Sequence, residues 1–245
     1  MIKKLIPVSF KDKLNAFRMR GQNVECNICN RKYVSFMPSG DPLRANAICP
    51  SCGSVERTRI YWEYLKGLSG FLTSNIRVLH SAPKPSLFKK FSSIGNFDYH
   101  PIDLFQPGYS YPKATRHMDI QDLDYPDNHF DFILSSHVLE HVEDDAKAMK
   151  EFYRVLSPGG FGIIMVPIDL SLEETHDDPT NVKPEDRIKA YGQYDHLRMY
   201  GRDYQSKLEK AGFKVEANDF SIDLEAADKF RLGFGNGETL FIVRK

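Results

Sequence analysis

The sequence has no unbroken apolar run of the roughly 18 residues that would span a bilayer, so no membrane helix is expected. It has no charge excess either: 33 Lys and Arg balance 33 Asp and Glu, for a formal net charge of zero. A chain whose main partner is bulk nucleic acid carries a basic surplus, because phosphate neutralisation dominates that affinity. RNA is therefore a partner the charge disfavours without excluding it. No cysteine falls outside residues 26 to 52, there is a single tryptophan, and neither an internal repeat nor a low-complexity tract occurs. The N-terminus lacks a continuous apolar core followed by a small-residue cleavage site, so it is not read as a signal peptide and the expected compartment is cytoplasmic. With 245 residues, 41% hydrophobic and 27% charged, the chain suffices for one α/β domain with a real core plus a small appendage.

Residues 1–21, MIKKLIPVSFKDKLNAFRMRG, are basic and partly amphipathic, and predict a surface helix packed on the main domain, with membrane-surface contact as the alternative. Two C-x-x-C pairs follow, Cys26-Asn27-Ile28-Cys29 and Cys49-Pro50-Ser51-Cys52, with 19 residues between them. This is the spacing of a four-thiolate zinc site, in which two sulfurs on each tight knuckle face one ion and two knuckles complete a tetrahedron. Gly53 follows the second pair, where a knuckle needs a permissive backbone. Two disulfides are the alternative, and they fit poorly with a chain that shows no export signal and has no other cysteine. Four protein ligands leave no open position, so the ion is expected to stabilise a zinc ribbon over residues 22–56 and not to catalyse.

Downstream, helical and strand periods alternate. Residues 56–68 place Ile60, Tyr61, Tyr64, Leu65 and Leu68 at helical spacing. Residues 76–80 read as a short strand, 85–91 as a helix, 97–103 as a strand ending in an acid and 116–119 as the end of a third strand. Buried strands are expected over 130–135 and 161–166, separated by a helix over about 144–156 and a turn at Ser157-Pro158-Gly159-Gly160. A helix over 203–211 and strands over 213–216 and 239–243 close the chain. Strands alternating with helices predict a parallel sheet with right-handed crossovers. The segment 167–199 reads as a long, polar, irregular loop, a length usually tied to function or disorder.

Four blocks stand in order: Asp119-Ile120-Gln121-Asp122-Leu123, Asp131-Phe132-Ile133-Leu134-Ser135, Ser136-His137-Val138-Leu139-Glu140-His141 and Arg154-Val155-Leu156-Ser157-Pro158-Gly159-Gly160. Together they resemble the class I S-adenosylmethionine-dependent methyltransferases of the type 11 group, over about residues 76–217. The resemblance implies a Rossmann-like, doubly wound, mostly parallel seven-stranded sheet with an antiparallel last strand, forming a domain over 57–245. It also implies S-adenosylmethionine as cofactor, held beyond the carboxyl ends of the strands. Asp103 would then accept the ribose hydroxyls. Asp119 would accept from the adenine amino group, with Ile120 covering the ring, and Ser136 and His137 would lie near the reactive methyl. The family's glycine-rich first turn is absent: the segment reads His80-Ser81-Ala82-Pro83-Lys84-Pro85-Ser86. A bacterial set of methyltransferases with a leading C-x-x-C ribbon looks similar here, with His80 replacing the usual acid and Ser81, Ala82 and Pro83 lining the methionine end.

Methyl transfer needs alignment and, for a hydroxyl acceptor, a proton acceptor, for which histidine is the usual choice. His141 leaves strand four one helical turn after His137, and Gly192-Gln193-Tyr194-Asp195-His196-Leu197-Arg198-Met199-Tyr200-Gly201 resembles a segment that closes over the acceptor in related enzymes. His141 and His196 are the candidate catalytic residues. The expected activity is methylation of a polar small-molecule or glycan-type acceptor. Two alternatives stand beside it: rRNA or tRNA methylation guided by the ribbon, and a non-catalytic scaffold. The sequence fixes neither the acceptor nor the oligomeric state.

Overall fold

The structure, a computed structural model, describes residues 16–40, 42–106 and 111–245. The expected N-terminal helix falls mostly on residues 1–15, outside the described residues. Cys26 and Cys29 lie on a small antiparallel hairpin of β1 (Arg20–Cys26) with β2 (Arg31–Tyr33), and Cys49 and Cys52 directly follow a second hairpin of β3 (Met37–Ser39) with β4 (Arg44–Ile48). Both knuckles close in the same way. The Asn30 amide donates to the Cys26 carbonyl at 2.7 Å and the Gly53 amide to the Cys49 carbonyl at 3.0 Å. Asn30 and Gly53 both take left-handed φ, 56° and 70°, which is the conformation glycine adopts without cost.

Helix α1 (Glu56–Gly67) leads from the second knuckle into a seven-stranded sheet. Its strands are β5 (Ile76–Ser81), β6 (Phe97–Asp103), β7 (Arg116–His117), β8 (Phe130–Ser136), β9 (Leu156–Met165), β10 (Lys214–Asn218) and β11 (Leu240–Arg244). The spatial order is β7-β6-β5-β8-β9-β11-β10. The β5–β6, β5–β8, β6–β7 and β8–β9 pairs are parallel, and β11 runs antiparallel to both neighbours. The crossovers use α2 (Pro85–Ser92), α3 (Asp145–Val155) and α5 (Tyr204–Lys210), with a 3-10 turn over Leu139–His141 ahead of α3. The order reverses at β5–β8, and that switch opens a crevice at the strands' carboxyl ends.

Alternation along the strands divides the core. Val78, Phe132, Leu134, Ile163, Met165 and Ile242 point to one face, while Leu79, Ile133, Ile164 and Val243 point to the other. The second face is covered by Met149 and Phe152 of α3 and by Tyr204 and Leu208 of α5. The first is covered by α1 and α2, and the same cluster takes in Val24, Cys26, Ile28, Tyr33, Phe36 and Cys49 of the ribbon. The ribbon thus shares a core with the sheet.

Three sequence expectations are corrected. The segment 167–199 is not irregular throughout, since it contains α4 (Pro184–Tyr191) and the bridges Ile168–Tyr200 and His176–Met199. Residues 157–160, read as a turn, lie within β9, whose register against β8 jumps from Phe130–Leu156 to Phe132–Phe161. The third strand is two residues long. Between β10 and β11, α6 (Phe220–Asp223) and α7 (Ala226–Leu232) add two short helices. Among the described residues no helix is long and apolar enough to cross a membrane.

Candidate functional site

The carboxyl ends of β5 to β8 bring most of the expected residues to one edge. At the end of β5 the Ser81 hydroxyl donates to the Ser135 hydroxyl at 2.8 Å, and the Ala82 amide donates to the Ile102 carbonyl at 2.8 Å. Ala82 has φ 47°, so it takes the left-handed turn that the absent glycine would otherwise provide. Pro83 and Lys84 then lead into α2, with Pro85 at its first turn. The Ser86 hydroxyl beneath this turn is buried and has no hydrogen-bond partner, an orphaned group of the kind a ligand satisfies. Lys84 is accessible but surrounded: desolvation lowers its pKa first and Arg57 lowers it further, while Asp103 and Glu140 oppose them.

Asp103 ends β6. Its carbonyl accepts from the Met118 amide at 3.0 Å, its carboxylate accepts from the Phe105 amide at 3.2 Å, and burial raises its pKa against those hydrogen bonds. The Asp119 carboxylate follows β7 and is held by Gln121, which donates its backbone amide at 2.8 Å and its side-chain amide at 3.1 Å to each oxygen. Ile120 is buried beside it. Ser136 ends β8 and shares a 3.0 Å hydrogen bond with the Tyr61 hydroxyl of α1. His137 turns left-handed (φ 57°) and its amide donates to the Met165 carbonyl at 2.8 Å.

His80 is the exception. Only 3% exposed, it hydrogen-bonds the Tyr99 hydroxyl through Nδ1 at 2.9 Å and packs against Phe91. Burial pushes its pKa down to about 3, so the ring is neutral. The ring expected at the cofactor pocket is thus engaged by an aromatic cluster with Phe91 and Tyr99. Arg198 is also withdrawn from the cleft. It donates to the carbonyls of Leu139, Val142 and Glu143 and pairs with Asp177 at 2.8 Å, so it clamps the 3-10 turn after β8.

That clamp gathers His137, Glu140, His141 and His196. The Leu197 amide donates to the Glu140 carbonyl at 2.8 Å, which lays the 192–201 segment over the turn. The His141 and His196 rings meet edge to face with centroids 4.8 Å apart. Nδ1 of His141 is 3.1 Å from the Asp195 carbonyl, and Nδ1 of His196 is 3.1 Å from the Tyr191 carbonyl. Desolvation, reinforced by His141, lowers the His196 pKa, and desolvation also lowers that of His137. Glu140 is fully buried between the two histidines of its own turn, and neither carboxylate oxygen has a hydrogen-bond partner.

Residues that sequence reasoning missed surround this group. Arg57 of α1 lies within electrostatic reach of Lys84, His137 and Glu238. Glu238 has its carboxyl pushed up to about 7 by burial. An acid three residues after a histidine in an otherwise apolar block was the one readable signal, at Glu140. Nothing local marked Tyr61, Arg57 or Glu238.

The thiols of Cys26, Cys29, Cys49 and Cys52 are free, and their sulfurs all lie within 4.8 Å of one another. The pairs Cys26–Cys52 and Cys29–Cys49 are 3.6 and 3.7 Å apart. A tetrahedral zinc with bonds of about 2.3 Å has sulfur–sulfur edges of about 3.8 Å, so the four donors fit that ion. The buried Arg59 guanidinium, within electrostatic reach of Cys26, Cys49 and Cys52, offsets negative charge there.

Comparison with known proteins places a methyltransferase-domain family match on residues 87–164. A probable S-adenosylmethionine-dependent methyltransferase of Mycolicibacterium smegmatis is 28% identical over 120 residues, covering 49% of this chain and 42% of that protein. A ubiquinone/menaquinone biosynthesis C-methyltransferase of Psychromonas ingrahamii is 50% identical over 40 residues, 16% of each chain. The matched stretches thus span less than half the length of these curated relatives. Among solved structures, the 4+2 cyclase SpnF superposes with a TM-score of 0.55 at 16% identity, covering 82% of this chain and 84% of that one. That likeness shows the fold alone. Residues 87–164 thus match a methyltransferase domain, and the strand order around them is the mostly parallel, Rossmann-like order with an antiparallel strand near one edge.

Proposed function

We propose that this protein binds S-adenosylmethionine at the carboxyl edge of β5–β8 and methylates a hydroxyl of a polar small-molecule or glycan-type acceptor. The observation that carries the reading is the His141–His196 pair, held at the exit of β8 beside Ser136 and His137. The cofactor supplies a sulfonium-bound methyl, whose C–S bond breaks as the acceptor oxygen bonds to the carbon, the electron pair staying on sulfur. Asp103 holds the ribose hydroxyls, Asp119 and Ile120 hold the adenine, and Ser81, Ala82, Pro83, Ser136 and His137 surround the methionine end. Lys84 and Arg57 are the cations available to its carboxylate, and the unpartnered Ser86 hydroxyl offers a further hydrogen bond. His141 and His196 engage the acceptor hydroxyl, and the 192–201 segment excludes water above it.

The four cysteines hold a structural zinc, which fixes the ribbon over residues 22–56 and does not enter the chemistry. The balanced charge supports a small acceptor over RNA. The test is calorimetry with S-adenosylmethionine followed by a screen of hydroxylated metabolites and oligosaccharides with methyl-labelled cofactor. Binding heat and label in an ether product are expected. Absence of any binding heat would overturn the cofactor assignment, and label only in RNA would overturn the acceptor class.

A further inference from the structure

Glu140, His141 and His196 present a set of electron pairs with no protons among them. A backbone carbonyl only accepts hydrogen bonds, so the 3.1 Å contacts from Asp195 and Tyr191 fix the proton of each imidazole on Nδ1. Each Nε2 is left as a bare lone pair. His141 Nε2 stands 3.9 Å from Glu140 Oε1, and one ligand atom from each of the three residues lies within 4.8 Å of the others. Glu140 is buried with no well-formed hydrogen bond to either oxygen, its nearest nitrogen being His137 Nδ1 at 3.3 Å from Oε1, and Oε2 faces no donor at all. Burying such groups unsatisfied costs stability, and packing three acceptors together adds repulsion. A cation at their centre removes both penalties at once.

We propose that Glu140, His141 and His196 bind one divalent first-row transition ion, separate from the ribbon's. Two imidazoles and a carboxylate suit Mn2+, Co2+ or Zn2+ better than Mg2+ or Ca2+, which prefer all-oxygen shells. Imidazoles that donate their other N–H to a carbonyl are the usual outer-sphere arrangement of metal-binding histidines. Three protein ligands leave positions open, unlike the closed four-cysteine site. His141 is about a third exposed, with a side-chain accessibility of 31%, so the site can be reached from solvent. At that open side the two histidines would act on the acceptor hydroxyl through the ion they hold, which would lower the hydroxyl's pKa so that its proton passes to water as the methyl is received. This role rests on the methyl-transfer reading above; the site itself does not.

The test uses the full chain with its ribbon saturated by zinc, titrated with Co2+ and followed by ligand-field absorption in the visible. One further equivalent is expected to bind with a nitrogen–oxygen spectrum. Glu140→Gln and His196→Gln should each weaken it at least tenfold, and so should the more exposed His141→Gln, whose folding is the least threatened. Cofactor calorimetry on the same samples shows that each variant is folded and stands apart from metal binding. No Co2+ beyond the ribbon, or undiminished binding in all three variants, overturns the site. Co2+ bound normally with no cofactor heat upholds the site and refutes the methyl-transfer reading.

Discussion

Replacing Arg59 by methionine tests how the ribbon is joined to the sheet. The side chain is fully buried, under the Phe36 ring at 4.4 Å. Its guanidinium donates to the carbonyls of Ser54 and Ala47 in the ribbon and of Leu232 and Gly233 at the end of α7. Methionine keeps the stem but strips four buried carbonyls of their donor. At about 1.5–3 kcal/mol per charge-assisted bond, the gross loss exceeds about 6 kcal/mol. Removing the charge also removes its desolvation cost, the same burial that lowers the Arg59 pKa, so the net loss falls near the roughly 3–5 kcal/mol of a broken buried charge network. For a chain this size each kcal/mol shifts Tm by about 2–4 °C, so a fall of about 12 °C is expected. The assay is thermal unfolding by circular dichroism of the zinc-saturated protein, with Arg59→Lys as the intermediate case because an ammonium is a single donor point. A loss of under about 2 °C for Arg59→Met would refute the claim that this residue carries the junction.

Three further outcomes follow from the same geometry. Cys49→Ser should lower bound metal below one equivalent, measured by elemental analysis, and full occupancy would contradict four-thiolate ligation. Asp119→Ala should weaken S-adenosylmethionine binding by roughly tenfold in calorimetry, about 1.4 kcal/mol for one lost adenine contact; unchanged affinity breaks the adenine assignment. Between pH 6.5 and 3 the unfolded chain binds a proton at His80 that the native chain refuses, so stability should fall as pH drops below 6.5, by at most about 1.4 kcal/mol per pH unit from this group. His80→Gln should lessen that slope in urea titrations at pH 7, 6 and 5, and identical slopes would remove His80 as the cause.

What the sequence made legible were features written into local spacing. The C-x-x-C pairs, the apolar strands over Val78–Leu79 and Ile133–Leu134, and the acids ending β6 and following β7 all announce themselves within a few residues. Helix α4 did not, because among Pro184–Tyr191 only Tyr191 is buried and there is no apolar stripe to read. Its punctuation was present, with Pro184 at the first helical position and Gly192 left-handed at φ 79°, and the period rule outweighed it. The packing of His80 was hidden for the opposite reason. It stands at a strand end where cofactor contacts are expected, but its partner Tyr99 lies 19 residues on in the neighbouring strand. Glu140 stands in the His137–His141 run, yet its complete burial is a property of the packed turn and not of the string.

The join between ribbon and cleft is carried by one helix, and it explains why the two occur in one chain. Helix α1 begins four residues after the second knuckle's last cysteine, Cys52, and its first two turns hold Arg57, Arg59 and Tyr61. Because successive helical positions point about 100° apart, these three residues serve different surroundings. Arg59 grips the ribbon carbonyls, Tyr61 hydrogen-bonds Ser136 at the end of β8, and Arg57 lies within electrostatic reach of His137 and Lys84. The knuckle therefore sets the register of a helix whose side chains complete the cleft wall. A metal held by the four cysteines, with no open position, would still act on the site in this way: by fixing where α1 starts, it would fix where Tyr61 meets Ser136.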